Sequence, residues 1–353
     1  MHSPADPATA RFRILSVDGG GIRGLISVMV LEEIEKRLGE RVDGEVRIAD
    51  YFHLFAGTST GGLIALALTA PKRVSAGELA AFYVEDGPKI FRPGLGHQIG
   101  SLWGLSGPKY SLDPLRESVE RRLGHSTISE ATRDLLVTSY DMTRSEPYFF
   151  KRWRALETPE RNFPIAEAAL ATSAAPTYFP SHGLQNRALV DGGVFAANPS
   201  VAAIAEALGR QSDEPSKLSP DELFLVSIGT GEFETGYNQR QVSKWGKLGW
   251  VTGGEEPPIL GAMLGGASDG ADYWAHMLLN HHPGEGVPAA ADLGHGPRYY
   301  RLQVKLAKPL AMDDASRETL SQRLPAAARE LIEKRGGEID AIVDKLIAAG
   351  PIP

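Results

Sequence analysis

The pentapeptide GTSTG, Gly57 to Gly61, places a serine between two glycines. This is the G-x-S-x-G spacing of a nucleophile elbow, a sharp strand-to-helix turn that lifts a serine hydroxyl clear of a sheet. The flanking glycines relieve crowding at such a turn, and the N–H of Thr60 would donate to an oxyanion. Ser59 is therefore a candidate nucleophile. The pattern alone fits equally well a serine that only caps a helix.

A glycine-rich segment, DGGGIRG, lies earlier in the chain and also matches G-x-G-x-x-G through Gly19, Gly21 and Gly24. Consecutive glycine N–H groups at the start of a helix attract an anion. That anion is either the pyrophosphate of a dinucleotide, as in an NAD(P)-dependent oxidoreductase, or an oxyanion that develops beside a nucleophile. Asp18 would repel a pyrophosphate, which favours the oxyanion. A tight turn without chemistry is the remaining interpretation.

A serine nucleophile needs a base, and the sequence offers one carboxylate in a suggestive setting. In ALVDGG a short apolar run delivers Asp191 into a pair of glycines, at the end of a strand where α/β proteins place their ligands. Partial burial would raise the pKa of this carboxyl group and make it a usable base. An ordinary Asp-Gly turn is the alternative. The histidines after Ser59, including His276 and His295, stand in no motif.

Alternating apolar runs and helical patterns must position these three motifs. Strands are predicted at Phe12–Val17, Tyr51–Ala56, Asp134–Ser139, Ala188–Val190, Leu223–Ile228 and Arg298–Val304. Helices are predicted at Leu25–Leu38, Gly62–Thr69, Ala76–Val84, Leu112–Leu123, Ile165–Thr172 and Ser200–Leu208. Such alternation predicts a three-layer α/β/α fold, with a mostly parallel central sheet and helices on both faces.

The rest of the chain is assigned by composition. Residues 1–11 are polar and proline-rich and are expected to form a disordered tail. Residues 12–350 are expected to form a single domain. Within it, glycine and proline at 229–297 predict a loop-rich cap over one end of the sheet, and residues 313–349 show only helical periodicity.

Composition excludes several classes of protein. The 353 residues carry a net charge of −7, which argues against nucleic acid as a partner. There is no cysteine, so disulfides, thiolate nucleophiles and cysteine-ligated zinc are absent. The longest uncharged stretch, Ala56 to Pro71, is too short and too rich in glycine to span a bilayer. The N-terminus lacks an apolar leader segment, so the cytoplasm is the expected location, and non-classical secretion stays open.

Taken together and in this order, DGGGIRG, GTSTG and DGG resemble the patatin-like phospholipases. The resemblance extends to the plant patatin type in the segments EDGPKIFRP (Glu85–Pro93), GPKYSLDPL (Gly107–Leu115), ATSAAPTYFP (Ala171–Pro180), LFLVSIGTG (Leu223–Gly231), VSKWGKLGW (Val242–Trp250) and MDDAS (Met312–Ser316). It covers nearly the whole chain. The abundance of Ala, Arg, Gly and Leu suggests a bacterial source.

The resemblance implies a lipid acyl hydrolase that uses a Ser–Asp dyad, with Ser59 as nucleophile and Asp191 as base. The oxyanion hole would come chiefly from the N–H groups of Gly20 and Gly21, with help from Gly19 and Thr60. Supporting roles fall to Arg23, Gly57, Gly61 and Gly192. No metal and no cofactor are implied.

The implied substrates are acyl esters of glycerolipids, met at a membrane or micelle surface. The tryptophan-containing segments Leu102–Gly107 and Lys244–Val251 could dip into such an interface, although core packing is the commoner use of these residues. Head group, acyl-chain length and oligomeric state are not readable from the sequence. A catalytically idle storage or interaction protein on the same fold also remains open.

Overall fold

The computed structural model describes residues 10–92, 107–209, 218–233, 237–252, 257–280 and 297–353. Its centre is an eight-stranded sheet in the order β5-β6-β3-β2-β1-β7-β8, with β4 also paired to β3. The strands are β1 (Phe12–Val17), β2 (Leu54–Thr58), β3 (Asp134–Asp141), β4 (Glu146–Lys151), β5 (His182–Leu184), β6 (Arg187–Asp191), β7 (Leu223–Ile228) and β8 (Tyr299–Leu302).

Thirteen α-helices are described around this sheet. Their bounds are α1 (Gly24–Gly39), α2 (Thr60–Thr69), α3 (Ala76–Ile90), α4 (Asp113–Leu123), α5 (Arg152–Glu157), α6 (Ile165–Ser173), α7 (Gly193–Ala196), α8 (Ser200–Gly209), α9 (Gln239–Val242), α10 (Lys247–Thr252), α11 (Pro258–Leu279), α12 (Leu324–Lys334) and α13 (Gly336–Ala349). A π-helical turn, Thr319–Arg323, leads into α12.

The two faces of the sheet bury two separate cores. Leu15 and Val17 of β1 pack with α1, α2, α3, α6, α12 and α13 on one face. The intervening Ile14 packs with α8 and the end of α11 on the other face. Because neighbouring strand residues point to opposite faces, this division defines three layers. The predicted α/β/α architecture is confirmed.

Five neighbouring strands, β3, β2, β1, β7 and β8, are parallel, and β4, β5 and β6 join antiparallel. The sequence patterns did not predict β4 or β5. Strand β4 carries Pro147 near its start, and β5 is three residues long. Both features weaken a strand pattern, because proline removes a ladder donor and a short run shows little alternation.

The region 229–297 differs from the expected run of irregular backbone. Residues Pro258–Leu279 form a helix of 22 residues despite several glycines. Its C-terminal half buries Ala271, Ala275 and Leu279, so tertiary packing outweighs the low helix propensity of glycine.

The predicted tail falls mostly on residues 1–9, which lie outside the described residues. The division of the chain into tail, single domain, cap and C-terminal helices stays a prediction, although helices do occupy most of residues 319–349.

Candidate active site

Ser59 lies at a sharp junction between strand β2, which ends at Thr58, and helix α2, which begins at Thr60. Its backbone has φ 55° and ψ −124°, a conformation that few non-glycine residues adopt. The Ser59 side chain makes no capping hydrogen bond to α2. The capping interpretation therefore fails, and the hydroxyl faces the cavity described below.

The two glycines that flank the elbow are required by close backbone contacts. A Cβ atom at Gly57 would collide with the carbonyl of Gly61, and one at Gly61 would collide with the carbonyl of Val17 in β1. The Ser59 N–H donates to Thr172 Oγ1 at 2.8 Å, which ties the turn to α6. These contacts hold Ser59 in its strained conformation.

Strand β3 brings Asp191 to the same place. Its consecutive residues Thr138 and Ser139 lie opposite Thr58, the last residue of β2, and Asp191, the last residue of β6. Strands β2 and β6, which are far apart in sequence, therefore end close to each other. Gly192 follows at a point where a Cβ atom would collide with the Thr138 hydroxyl.

Asp191 is 6% exposed, and its carboxylate is held by a backbone hydrogen bond. Its Oδ1 accepts a 2.7 Å hydrogen bond from the Gly193 N–H, so the Asp-Gly turn exists and also aims the side chain. Burial raises the pKa of Asp191 to about 6, while hydrogen bonding with the Ser59 side chain and the Gly193 N–H opposes the rise. A carboxyl group with this pKa is ionised at pH 7 and still basic enough to accept a proton.

The glycine loop borders the same cavity with backbone donors. The N–H groups of Gly20 and Gly21 have no acceptor among the described residues, and the Thr60 N–H opens α2, where no intrahelical acceptor exists. Gly21 has φ +59°, and a Cβ atom there would collide with the Met312 carbonyl.

Gly19 corrects one prediction. Its N–H donates to the Ala197 carbonyl at 2.9 Å, so it lines the cavity without a free donor. Sequence reasoning missed this because Ala197 lies far along the chain. The loop is braced further by Thr230, whose hydroxyl donates to the Gly19 carbonyl at 2.7 Å, and by Met312, whose carbonyl accepts the Ile22 N–H at 2.8 Å.

Arg23 is buried beneath the loop. Its guanidinium donates long hydrogen bonds of 3.4 Å to the carbonyls of Gly20 and Leu310 and lies over the ring of Phe233. These contacts fit a residue that supports the loop.

Ser59, Asp191 and the glycine loop share one cavity of about 220 Å³. One side of it is apolar and comes from α2, α3, α4 and the segment after α6. The residues on that side are Leu63, Phe82, Ile90, Phe91, Leu115, Tyr178 and Phe179. Helix α11 lines another part of the cavity, through Leu260, Met263 and Leu264. None of the described histidines lines the cavity.

Two further polar features of the cavity wall depend on contacts that the sequence does not show. Ser173 is 8% exposed, and its Oγ has no hydrogen-bond partner in the described structure, so it is an unused donor and acceptor. Asp18 is buried and accepts two hydrogen bonds from Arg301, of 2.9 and 2.6 Å. A single sequence shows neither the missing partner nor the distant arginine.

The described residues show neither a metal site nor a bilayer-spanning helix. They contain no group of three or more histidine or acidic side chains that could hold a metal ion. None of the described helices combines the length and the hydropathy needed to cross a bilayer.

Comparison with known proteins gives a family match. The model of the family described as patatin-like phospholipase matches residues 15–204, more than half of the chain, and this range includes Ser59 and Asp191.

Several plant proteins are similar over most of their length. Patatin-like protein 2 of Arabidopsis thaliana is 36% identical, over 77% of this chain and 73% of its own. Patatin-like protein 2 of Oryza sativa subsp. indica is 30% identical, over 93% and 85%. A Solanum tuberosum protein named probable inactive patatin-3-Kuras 1 is 34% identical, over 68% of each.

Proposed function

The chain belongs to the patatin-like phospholipase family, a family of lipid acyl hydrolases, and we propose that it cleaves fatty-acyl esters of glycerolipids through an acyl-serine intermediate. Ser59 is the nucleophile and Asp191 the general base. The observation that carries the proposal is the meeting, in one largely apolar cavity, of Ser59, a buried carboxylate with a raised pKa and backbone donors that have no acceptor among the described residues.

In the first half of the reaction, Asp191 accepts the proton of the Ser59 hydroxyl as Oγ attacks the ester carbonyl carbon. The carbonyl oxygen becomes an oxyanion, which accepts hydrogen bonds from the N–H groups of Gly20, Gly21 and Thr60. Each such donor contributes about 3–4 kcal/mol to the stability of the transition state. When the intermediate collapses, Asp191 returns the proton to the leaving alcohol and the acyl group stays on Ser59.

In the second half, Asp191 removes a proton from water, and the hydroxide attacks the acyl-serine carbonyl in the same oxyanion hole. Collapse expels Ser59 Oγ, which takes the proton back from Asp191. The products are a fatty acid and the free enzyme. The single carboxylate thus acts as base and then acid in each half, as microscopic reversibility requires.

We further propose that the enzyme meets its substrate at a membrane or micelle surface. Four large apolar side chains on α10 and on the N-terminal turns of the neighbouring helix α11 are exposed: Leu248, Val251, Ile259 and Met263. Met263 also lines the cavity, so this exposed set adjoins the place where an acyl chain would enter. Part of the segment Lys244–Val251 belongs to the set, whereas Leu102–Gly107 falls almost entirely outside the described residues.

Two other functions make different predictions. An NAD(P)-dependent oxidoreductase would bind the dinucleotide at the glycine loop, but the family assignment gives this alternative no support. A catalytically idle protein would keep the fold without reacting, and one relative has a name of that kind.

A fluorophosphonate probe tests the proposal, because it reacts with an activated serine. We expect labelling of the wild-type protein at Ser59 and hydrolysis of phosphatidylcholine in mixed micelles. Ser59→Ala should abolish labelling and lower the hydrolysis rate by roughly a thousandfold or more.

Ser227→Ala is a matched control, because Ser227 lies in strand β7, which β1 separates from β2, and contacts Arg301 outside the cavity lining. It should leave labelling intact. An unlabelled, folded wild-type protein would support the idle alternative, and retained hydrolysis in Ser59→Ala would remove Ser59 from the mechanism.

A further inference from the structure

A second apolar cavity, of about 200 Å³, adjoins the catalytic one. It lies between helices α2, α3 and α4. Its walls are mainly aliphatic: Leu63, Ile64, Leu66, Ala67, Val74, Leu79, Ala81, Val119, Leu123 and Ala169. Nothing in the catalytic steps above uses this space.

The two cavities share three lining residues, Leu63, Phe82 and Tyr83. Tyr83 is fixed, because its hydroxyl is hydrogen-bonded to the side chain of Thr60 at the start of α2. Leu63 and Phe82 are only half-buried. Phe82 packs edge-to-face against Tyr83 and lies under the Arg122 guanidinium, whereas Leu63 makes only apolar contacts. Leu63 is therefore the side chain of the partition that most readily changes rotamer, beside the more restrained Phe82 and the fixed Tyr83.

The few charged groups around the second cavity are already paired. Lys72 Nζ donates to the Arg122 carbonyl at 3.0 Å, and the Glu78 carboxylate accepts from the N–H of Ser75, the N-cap of α3, at 2.8 Å. Arg122 is bound to Asp86 and Glu85. An ionic ligand would have to break these pairs, whereas an aliphatic ligand would leave them intact.

We propose that the second cavity holds the distal part of a long acyl chain whose carbonyl lies at Ser59. This inference rests on the proposed hydrolase function and adds the path of the substrate. A short chain ends in the catalytic cavity, among Phe91, Leu115 and Phe179. A longer chain passes Leu63 and Phe82 and gains apolar contacts between α2 and α3. The enzyme should therefore prefer long acyl chains, and the second cavity should set that preference.

Ala81→Phe tests the inference because Ala81 lines the second cavity and not the catalytic one. The measurement is kcat/KM for p-nitrophenyl esters from butyrate to palmitate in detergent micelles. Burying a methylene contributes roughly fourfold to kcat/KM, so displacing two or more should lower the palmitate value at least about tenfold. The butyrate value should stay within about twofold of wild type.

Val84→Phe is the matched control, because Val84 lies on the same helix but is 50% exposed and lines neither cavity. It should leave the whole chain-length profile unchanged. Phe82→Ala is the second variant, should Ala81→Phe fail to fold. It opens the partition and should shift the preference toward longer chains.

A chain-length profile that neither Ala81→Phe nor Phe82→Ala alters would overturn the inference while leaving the hydrolase function intact. Lack of hydrolysis of every ester would count against the hydrolase function instead. In that case, fatty-acid binding to Ser59→Ala decides the inference separately. Palmitate should bind to Ser59→Ala more tightly than octanoate does, and adding Ala81→Phe should remove the difference. If Ser59→Ala alone binds the two fatty acids with equal affinity, the inference about the second cavity is refuted.

Discussion

Ser59 and Asp191 both occupy positions that cost the folded protein stability. Ser59 has a positive φ that a side chain disfavours, and Asp191 is a carboxylate buried with few partners. The same two features expose the hydroxyl and keep the carboxyl group basic. At the scale of single residues, activity and stability therefore make opposite demands, and substitutions can measure each demand separately.

Removing the Ser59 side chain should reveal the backbone strain. We expect Ser59→Gly to be more stable than Ser59→Ala by roughly 1 kcal/mol, because glycine adopts positive φ without steric cost while both variants lack the hydroxyl. Urea denaturation at pH 7 measures the difference in free energy of unfolding. Equal stabilities would mean that the turn relaxes when the hydroxyl is lost. Both variants should be inactive.

Asp191→Asn should be inactive and, above pH 6, more stable than wild type. A buried carboxyl group whose pKa rises from 3.8 to about 6 contributes stability that is present below pH 3.8 and lost as the pH rises through 6. Asparagine does not ionise, so the variant should gain about 2–3 kcal/mol at pH 8 and almost nothing at pH 4. Urea denaturation at the two pH values measures both differences.

Asp86 supplies a control of opposite sign. Burial would raise its pKa, but hydrogen bonds from Ser118, Arg122 and Lys89 outweigh burial and lower the pKa to about 2. Its charge therefore stabilises the fold above pH 3.8, and Asp86→Asn should lose stability at pH 8.

In wild type, kcat/KM should rise with pH through about 6 as Asp191 ionises; a profile flat across that range would argue against Asp191 as the base.

At the scale of elements, the sequence predicts the parts of the site that depend on local pattern. The strand and helix around Ser59 and the strand that ends at Asp191 lie within about three residues of their predicted bounds, with the elbow and the glycine loop at the expected junctions. Whether a donor is free depends instead on distant partners, as the contact between Gly19 and Ala197 illustrates. Helix α11 was missed because its glycines hide a buried face, which only the packing of Ala271 and Ala275 against the sheet reveals.

Helix α11 is tied to the sheet by the buried arginine of β8. Arg301 donates to Asp18, which follows β1, and to Ser268 on α11 at 3.2 Å. Arg301→Gln would leave the Asp18 carboxylate buried without its charged partner, so we expect a loss of about 3–5 kcal/mol in the free energy of unfolding. Lys334→Gln breaks an exposed ion pair with Glu330 and should cost less than about 1 kcal/mol. Similar losses for the two variants in urea denaturation would contradict the structural role given to Arg301.

At the scale of the whole molecule, the proposed function requires that the catalytic cavity be brought to an aggregated substrate. The net charge of −7 gives no general attraction to anionic lipid. Apolar contact near the cavity is the remaining source of affinity, and helices α10 and α11 supply it through Leu248 and Ile259, which are 74% and 43% exposed. Exposed apolar side chains occur elsewhere on the protein, at Met142 and Leu156, which lie on neither of these helices.

Substituting Leu248 and Ile259, and separately Met142 and Leu156, distinguishes binding to the lipid surface through α10 and α11 from a general effect of exposed apolar area. The double variant Leu248→Ser and Ile259→Ser should hydrolyse phosphatidylcholine vesicles at least about tenfold more slowly, because each buried leucine or isoleucine contributes about 1.5–3 kcal/mol to membrane affinity. Its rate on a soluble short-chain ester should not change, since neither residue lines the cavity. The double variant Met142→Ser and Leu156→Ser removes comparable apolar surface and should match wild type on both substrates. If the two double variants lose vesicle activity equally, α10 and α11 do not form the contact surface. If only the Leu248→Ser and Ile259→Ser variant loses activity, and a vesicle sedimentation assay shows a matching loss of binding, lipid reaches Ser59 past the exposed end of α11.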